Sequence, residues 1–299
     1  MPELIIDKAS SHAPVAVGGI GGSGTRLIAR MLRRLGYYMG GDLNEASDNL
    51  WFTLLFKRAE LFAARNGQTD FDQAVDVFRA LMCESVPLTS DQKIFVRSLA
   101  VMDRPQHSAA WLRQRVGSLL SAAREERPPL AWGWKEPNTH VFLDRLESAF
   151  PGMRYVHVMR NGLDMAYSRN QNQLGLWGPN FFGGQEFNIT PRWSLKYWCY
   201  VHRRIARLGE QLMPERFMLL NYDEFCAAPR AGVKAFLHFL GLAVDPSIQA
   251  SLTALVRRQP SSTRRFSQHG LQPFDPEDVA CVASFGFDTM VDGPKPDTQ

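Results

Sequence analysis

The chain has 299 residues, of which 45% are hydrophobic and 21% are charged, and its formal net charge at neutral pH is +4. This composition is ordinary for a globular protein and is enough to bury a sizeable core. No apolar run approaches the roughly 18 residues of a membrane-spanning helix, and no dense lysine and arginine tract predicts binding to nucleic acid, although the mild basicity suits an anionic ligand.

The first residues and the cysteines predict a cytoplasmic protein. Residues 1–12 lack the cationic segment and the apolar segment of a secretory signal. The four cysteines lie far apart and form no C-x-x-C pair, so we expect buried free thiols rather than a disulfide framework. The seven histidines show no metal-binding spacing, and we predict no metal site.

The first predicted elements are a strand, a glycine-rich turn and a helix. Residues 15–17 are an apolar run that predicts a buried strand, and a helical pattern with one apolar face ends at Gly36. Between them lies the turn GGIGGSGT, residues 18–25. Glycines let backbone N–H groups surround an oxyanion, and the helix N-terminus adds partial positive charge. The sequence therefore predicts an anion-binding site here.

The pattern of residues 50–127 predicts helices alone. Apolar residues at helical spacing indicate one helix with Thr69 or Asp70 as its N-cap, and a second helix over residues 111–123. We interpret residues from about 42 to 130 as a helical insertion between the first and second strands. An insertion beside a ligand loop is a natural place for substrate specificity.

Strands then alternate with helices, which is typical of a parallel sheet. Predicted strands occupy residues 130–134, 154–160 and 217–222, and predicted helices occupy residues 139–150, 163–171, 191–212, 229–240 and 245–256. Together with the first strand, they predict a single three-layer α/β domain with a central parallel sheet of about four or five strands.

Three later segments are predicted to lack regular structure. Residues 174–190 are rich in glycine and aromatic residues, which is typical of a long lid loop. Residues 261–270 predict a basic loop, and residues 293–299 predict a disordered tail.

The glycine-rich turn can be compared with the nucleotide-binding pattern G-x-x-x-x-G-K-[ST]. Gly19 and Gly24 have its spacing, but Thr25 stands in place of the lysine and Arg26 in place of the hydroxyl residue. Hydrolysis of ATP or GTP needs that lysine on the phosphates and that hydroxyl on magnesium. The turn is therefore predicted to hold a phosphate group without magnesium.

A second phosphate site is predicted in the segment RNGLDMAYS. Arg160 follows a strand, and Ser168 lies about two turns into the next predicted helix. A guanidinium and a hydroxyl in this arrangement suit a phosphate group. Two phosphate sites at one sheet edge imply a nucleotide that is phosphorylated at two places.

These two motifs resemble those of the sulfotransferase family that uses 3′-phosphoadenosine 5′-phosphosulfate (PAPS). Residues 23–25, SGT, fit the family's [KR]-S-G-T-[TS] loop, which binds the 5′-phosphosulfate. Arg160, Asp164 and Ser168 fit its R-x-x-x-D-x-x-x-S segment, which binds the 3′-phosphate.

Further matches resemble the bacterial, carbohydrate and tyrosyl-protein branch of this family. Lys135 begins a K-x-P motif at the end of a strand. Residues 221–225 correspond to the family's R-Y-E-D-L strand, and residues 239–242 have the sequence F-L-G-L. The matches follow the family's order from residue 15 to about residue 245, in a P-loop-like fold.

The resemblance implies in-line transfer of a sulfuryl group from PAPS to an acceptor hydroxyl or amine. It implies that the 5′-phosphate is held by backbone N–H groups of Gly22, Ser23, Gly24 and Thr25. It also implies that Lys135 neutralises the leaving oxygen.

A general base must deprotonate the acceptor. Glu45 is our candidate, because several relatives place a catalytic glutamate just after the first helix. Asp42, Asp48 and His140 are its rivals.

Adenine needs a stacking partner or an apolar slot, for which Tyr222, Trp193 and Phe266 are options. Arg264 and Arg265 resemble the late basic loop that some relatives place near the 3′-phosphate.

The acceptor pocket is expected between the insertion and the predicted lid, with Trp177, Phe181 and Phe182 shaping it. Sugars, lipids, phenols and peptides all stay open as acceptors. Two other functions also stay open. One is a small-molecule or nucleotide kinase, which needs a magnesium-dependent phosphate site that Thr25 and Arg26 do not supply. The other is a non-catalytic nucleotide-binding module.

Gly22 departs from the family pattern, which has a basic residue there to contact the bridging oxygen of the phosphosulfate. Three interpretations stay open. Arg26 swings in to replace it, Lys135 carries the task alone, or the protein binds the nucleotide without efficient transfer.

Overall fold

The fold is described from a computed structural model, over residues 13–62, 67–84, 86–122, 131–184, 186–256 and 265–290. Four strands form one parallel sheet in the order β2-β1-β3-β4. The strands are β1 (Val15–Gly19), β2 (Gly133–Lys135), β3 (Arg154–Met159) and β4 (Phe217–Asn221). The predicted parallel sheet is therefore confirmed, with four strands in the described part of the chain.

Helices connect and cover these strands. The α-helices are α1 (Thr25–Arg34), α2 (Leu50–Phe56), α3 (Gly67–Arg79), α4 (Ser90–Ser98), α5 (Ala109–Leu120), α6 (Leu143–Ala149), α7 (Gly162–Ala166), α8 (Asn172–Phe181), α9 (Pro191–Leu212), α10 (Tyr222–Ala227), α11 (Pro229–Phe239), α12 (Pro246–Leu255), α13 (Arg265–His269) and α14 (Pro276–Ser284). The chain between β1 and β2 contains α1 to α5, so α2 to α5 lie within the predicted insertion.

The two faces of the sheet pack against different helices. Val15, Val17 and Val156 pack on one side, in a core that includes apolar residues of α1 and α11. Ala16 and Tyr155 face the other side, in a core that includes apolar residues of α2, α3 and α9. A strand buried on both faces reads as a continuous apolar run, as β1 does. The predicted three-layer α/β fold is confirmed.

The strand register brings the site together. Val17 pairs with Lys135, Gly19 with Val158, and β3 ends where Met159 pairs with Asn221. Because all four strands run the same way, the segments that follow them meet at one edge of the sheet. Ligands bind at this carboxyl edge in open α/β sheets.

The prediction of a lid loop over residues 174–190 is wrong for its first half, which belongs to α8. Trp177 is fully buried, its Nε1–H donates to Oδ1 of Asn138 at 2.7 Å, and its ring packs edge-on against Phe142. This packing outweighs the low helix propensity of the glycines and of Pro179 inside the helix. Trp177 therefore belongs to the core rather than to an acceptor pocket.

Phe181 and Phe182 are half-buried against α9, where both rings pack near Tyr200.

Other helix boundaries also differ from the predictions. α3 begins at Gly67 rather than after residue 69 or 70, and α7 ends at Ala166 rather than at residue 171. Residues 137–142 form a 3₁₀ turn before α6. The predicted tail, residues 293–299, lies outside the described residues.

Candidate active site

Two glycines give the turn between β1 and α1 its shape. Gly22 and Gly24 have φ angles of 96° and 103°, which residues with a side chain rarely adopt. A Cβ atom at Gly24 would overlap the ring of Tyr222. α1 begins directly after Gly24 and has no acidic residue in its first turn. Its N-terminal N–H groups and its dipole therefore favour an anion at this place.

A cavity of about 590 Å³ opens at this turn. Four of its charged lining residues are cations, Arg26, Arg30, Lys135 and Arg160, and the fifth is Asp48. This balance gives the cavity a positive potential that attracts anions. The other lining residues are Gly21, Gly22, Gly24, Thr25, Leu27, Ala46, Pro137, Asn170, Tyr222 and Leu255.

Lys135 is the most buried of these cations, with 2% of its surface exposed. Its Nζ donates to the carbonyl oxygen of Ala46 at 3.2 Å and forms an ion pair with the carboxylate of Asp48. Its carbonyl oxygen accepts the N–H of Asn49 at 2.8 Å. The loop that follows α1 is therefore attached to the end of β2 by both side chain and backbone, and it carries Asp48 to the ammonium.

Arg160 follows β3, which β1 separates from β2 in the sheet. Its Nε lies 3.9 Å from Oδ1 of Asp223, and its carbonyl oxygen accepts the indole N–H of Trp198 at 3.1 Å. The N–H of Asn161 donates to the other oxygen of Asp223 at 3.0 Å. These contacts fix the backbone on either side of the guanidinium, which is half-buried at the cavity wall.

A model of the sulfotransferase family matches residues 14–246, well over half of the chain. The chain belongs to the sulfotransferase family. The predicted family is confirmed, and with it the assignment of this protein as a sulfotransferase enzyme. No curated protein sequence matches the chain.

Solved structures with similarity to this sulfotransferase include three bacterial ones. A sulfotransferase from Mycobacterium avium is 15% identical, with 95% of this chain and 79% of that chain covered and a TM-score of 0.48. The sulfotransferase domain of the Synechococcus olefin synthase is 16% identical, with 93% and 95% covered and a TM-score of 0.45. A sulfotransferase from Alicyclobacillus acidocaldarius is 16% identical, with 85% and 99% covered and a TM-score of 0.39.

Most predicted donor-binding residues of this sulfotransferase line the 590 Å³ cavity, hereafter the donor cavity: Gly22, Gly24, Thr25, Arg26, Arg160 and Tyr222. Ser23 is fully buried behind the turn, and its Oγ has no hydrogen-bond partner among the described residues. Ser168 lines a neighbouring cavity, where its Oγ accepts the N–H of Asn170 at 3.2 Å. Arg265 begins α13, and Arg264 lies outside the described residues.

Asp164, the acidic residue of the second motif, contacts protein backbone. Its carboxylate accepts the N–H groups of Arg265 and Phe266, and burial raises its pKa despite these hydrogen bonds. The carboxylate therefore attaches the start of α13 to α7, close to Ser168. Aspartate at a helix start satisfies N–H groups that have no partner within the helix.

The four candidate bases occupy different environments. Glu45 is exposed and lies outside the lining of the donor cavity. Asp42 accepts a hydrogen bond from Arg115 at 2.6 Å. His140 is fully buried, and this burial lowers its pKa to about 3. Of the four, Asp48 is the one that lines the donor cavity.

The three aromatic residues that were options for contacting adenine lie in different environments. Tyr222 lines the donor cavity, whereas Phe266 is fully buried and Trp193 packs against Phe182. The sequence reasoning missed the apolar contributions of Leu27 and Leu255 to the same lining. Leu27 sits in the first turn of α1, so its helical position could have indicated it. Leu255 comes from the end of α12, and no local pattern relates it to the turn.

Arg30 was missed as well. It lies one helical turn after Arg26, so the same face of α1 presents both side chains to the donor cavity. The spacing of the two arginines could have indicated this.

The described residues contain no group of three or more histidine, cysteine or acidic residues placed to hold a metal ion. Within the same ranges, no helix is long and apolar enough to cross a membrane. The four cysteines are free thiols; Cys199, Cys226 and Cys281 are buried, whereas Cys83, which was also expected to be buried, is half-buried.

Proposed function

We propose that this sulfotransferase takes PAPS as its donor and transfers the sulfuryl group to a hydroxyl or amine of an acceptor. The observation that supports the proposal most is that the glycine turn, Lys135 and Arg160 all line one cavity. Its cations suit a nucleotide with two separate phosphate groups. Thr25 and Arg26 stand where a magnesium nucleotide loop needs lysine and a hydroxyl.

The proposed donor contacts divide between two sides of the cavity. The N–H groups of the turn from Gly22 to Thr25 hold the 5′-phosphosulfate at the start of α1. Arg160 pairs with the 3′-phosphate, and Ser168 is proposed to donate its hydroxyl to the same phosphate from the neighbouring wall. Arg265, at the start of α13, and Arg264, just before it, are further proposed partners of this phosphate.

The adenine slot is proposed between apolar side chains of the donor cavity. Tyr222 packs over Gly24, and Leu27 and Leu255 add apolar surface to the same lining. An aromatic ring beside aliphatic side chains suits a flat heterocycle.

Lys135 is the proposed electrostatic catalyst. Its ammonium stabilises the negative charge that grows on the oxygen between sulfur and phosphate during transfer. Gly22 supplies no cation, and Arg26 and Arg30 are exposed. Burial makes Lys135 the stronger partner for that charge, because solvent screens it less.

Asp48 is the base that the geometry favours, and Glu45 is the base that the resemblance favours. Asp48 pairs with Lys135 in the structure. If Lys135 turns to the bridging oxygen, the carboxylate of Asp48 is released to accept a proton from the acceptor. Glu45 lies on the same loop and stays the alternative.

Calorimetry with adenosine 3′,5′-bisphosphate tests the proposal. The wild type is expected to bind it, and Arg160→Ala is expected to weaken binding by about tenfold or more, because a charge-assisted contact to phosphate is lost. Arg207→Ala, at an exposed arginine near the end of α9, is the matched control and should bind as the wild type does.

Two other outcomes would contradict the proposal. Equal or tighter binding of ATP with magnesium would favour a kinase. Tight bisphosphate binding with no transfer from labelled PAPS to any compound in a broad acceptor screen would favour a non-catalytic binding module.

A further inference from the structure

Asn170 lines the donor cavity, although no motif of the sequence points to it. It is exposed and lies between Ser168 and the start of α8. Its side chain reaches the glycine turn, because a Cβ atom built on Gly21 would lie 2.9 Å from Nδ2 of Asn170. The missing side chain at Gly21 thus lets the amide group lie directly against the backbone of the turn.

Hydrogen bonds determine which end of this amide group faces the turn. Oδ1 of Asn170 accepts the N–H of Asn172 at 3.4 Å, and the backbone N–H of Asn170 donates to Oγ of Ser168 at 3.2 Å. The oxygen therefore faces α8, and Nδ2 faces Gly21 and the cavity. No described residue accepts a hydrogen bond from Nδ2, so its two N–H groups are available to a ligand.

Gln173 attaches this segment of the chain to the residue that leads into the turn. Its side chain is buried, and its Nε2–H donates to the carbonyl oxygen of Gly19 at 3.2 Å. Its Oε1 accepts a hydrogen bond from Nε2 of His140, also at 3.2 Å. Gly19 ends β1, and His140 lies in the 3₁₀ turn after β2. Because a buried amide without partners is costly, these bonds keep the start of α8 beside the turn.

The position of Nδ2 suits an oxygen of an anion. The N–H groups at the start of α1 and the helix dipole favour an anion at the glycine turn. A carboxamide N–H adds one more hydrogen bond to such an oxygen without adding a charge. Asn170 is also close to Ser168, the proposed partner of the 3′-phosphate. The direction of Nδ2 nevertheless favours the anion at the turn.

We propose that Asn170 is a further donor-binding residue, whose Nδ2–H donates to an oxygen of the 5′-phosphate. The inference rests on the proposed function, because it takes the donor and the place of its 5′-phosphate from there. The turn then surrounds this phosphate with backbone N–H groups from one side, and Asn170 contributes a side-chain N–H from the start of α8.

Displacement calorimetry on the full chain with three nucleotides tests the proposal. Adenosine 3′,5′-bisphosphate carries both phosphates, and the 3′-monophosphate and the 5′-monophosphate of adenosine carry one each. Asn170→Asp replaces the donating NH₂ group by an anionic oxygen of similar size. It should weaken binding of the bisphosphate and of the 5′-monophosphate about tenfold or more. Binding of the 3′-monophosphate should change less than about threefold, because solvent screens the more distant charge.

Asn172→Asp is the matched control. It makes the same chemical change two residues further along the chain, at an exposed position outside the lining of the donor cavity. All three affinities should stay within about twofold of the wild type, because an exposed charge is screened. A second variant, Asn170→Ala, removes the N–H groups without adding charge and should weaken the bisphosphate about threefold to tenfold.

The comparison of the three nucleotides decides the inference. A loss confined to the two nucleotides with a 5′-phosphate supports it. An equal loss for the 3′-monophosphate would assign Asn170 to the 3′-phosphate and overturn it. Unchanged binding by Asn170→Asp, or an equal loss in Asn172→Asp, would overturn it as well. If the wild type itself binds no bisphosphate, the proposed function fails, and that result is separate from any effect of these variants.

Discussion

Lys135 is held by its neighbours before any donor arrives. The ion pair with Asp48 and the hydrogen bond to Ala46 orient the ammonium, and burial keeps water from screening it. The proposed transfer then needs one rearrangement, in which the ammonium turns from Asp48 to the bridging oxygen.

We expect Lys135→Met to lower kcat for sulfuryl transfer by about 10²–10³, the usual effect of removing an electrostatic catalyst. Affinity for adenosine 3′,5′-bisphosphate should change much less, because that product lacks the transferred group. Single-turnover transfer from labelled PAPS measures the first quantity and calorimetry the second. An unchanged rate would remove Lys135 from the mechanism.

Asp48 and Glu45 can be distinguished by matched amide variants. Asp48→Asn should lower kcat by about 10²–10⁴, because the proton acceptor is gone. Glu45→Gln, at an exposed position outside the donor cavity, should stay within about twofold. The reverse pattern would return the role of base to Glu45.

Gly22 and Gly24 have similar φ angles but different surroundings. A Cβ atom at Gly22 meets nothing within 4 Å, whereas one at Gly24 meets the ring of Tyr222. Gly22→Ala should cost about 1–2 kcal/mol in unfolding free energy from backbone strain alone. Gly24→Ala should cost about 1–3 kcal/mol more, because the ring must move. Urea unfolding of both variants measures the difference, and equal losses would argue against the packing of Tyr222.

At the scale of elements, the loop between α1 and α2 connects the insertion to the sheet. Arg115 of α5 holds Asp42 in the middle of this loop, and Lys135 of β2 holds Asp48 near its end. Both side chains of the Arg115–Asp42 pair are nearly buried. The insertion therefore helps to position the proposed base.

Arg115→Met should destabilise the protein by about 3 kcal/mol, because it leaves a nearly buried carboxylate unpaired. It should also lower kcat at least about tenfold through the displaced loop. Arg192→Met is the control, since Arg192 pairs with Asp275 at the surface, and its stability should match that of the wild type. A stable Arg115→Met variant with normal kcat would show that the loop holds its shape without the insertion.

At the scale of the whole molecule, three buried histidines lie close together, one on strand β3 and two on neighbouring helical segments. His140, His157 and His202 are fully buried, with ring centroids 5.9 Å apart for the first two and 5.1 Å for the last two. Burial lowers the pKa of His140 and of His202 to about 3, and it lowers the pKa of His157 well below its usual range. All three are therefore neutral in the folded protein near pH 7.

Unfolding exposes these histidines, whose pKa then returns to about 6.5. Below that pH the unfolded state binds more protons, so stability should fall as the pH drops from about 6.5 toward 4. The slope is about 1.4 kcal/mol per pH unit for each histidine. Glu136 and Asp164 oppose the trend, because burial raises the pKa of each carboxyl.

Urea unfolding between pH 5 and 8 checks this dependence. His202→Gln should flatten the slope by one histidine's share. If His202→Gln keeps the full slope, the acid sensitivity arises elsewhere.

The sequence predicted the strands, and the segments at their ends that carry the site, better than it predicted the surroundings of the site's side chains. The glycine turn, Lys135 and Arg160 could be found because each sits at the end of a strand with a recognisable pattern. Helix α8 was missed, because its glycines and proline indicate a loop and the packing of Trp177 is a tertiary effect. The sequence could not distinguish Asp48 from Glu45 as the candidate base. Both acids lie on the same loop as Asp42, and the folded structure alone gives the direction of each side chain.

The strand order has a consequence for synthesis of the chain. β1 lies between β2 and β3, yet residues 133–135 and 154–159 leave the ribosome long after it. Because N-terminal segments emerge first, the nascent chain carries an apolar strand without neighbours while the whole insertion is made. Such a strand is prone to aggregate. Protection of the emerging N-terminal segment, by chaperones or by early folding of the insertion, is therefore a requirement that this topology places on the cell.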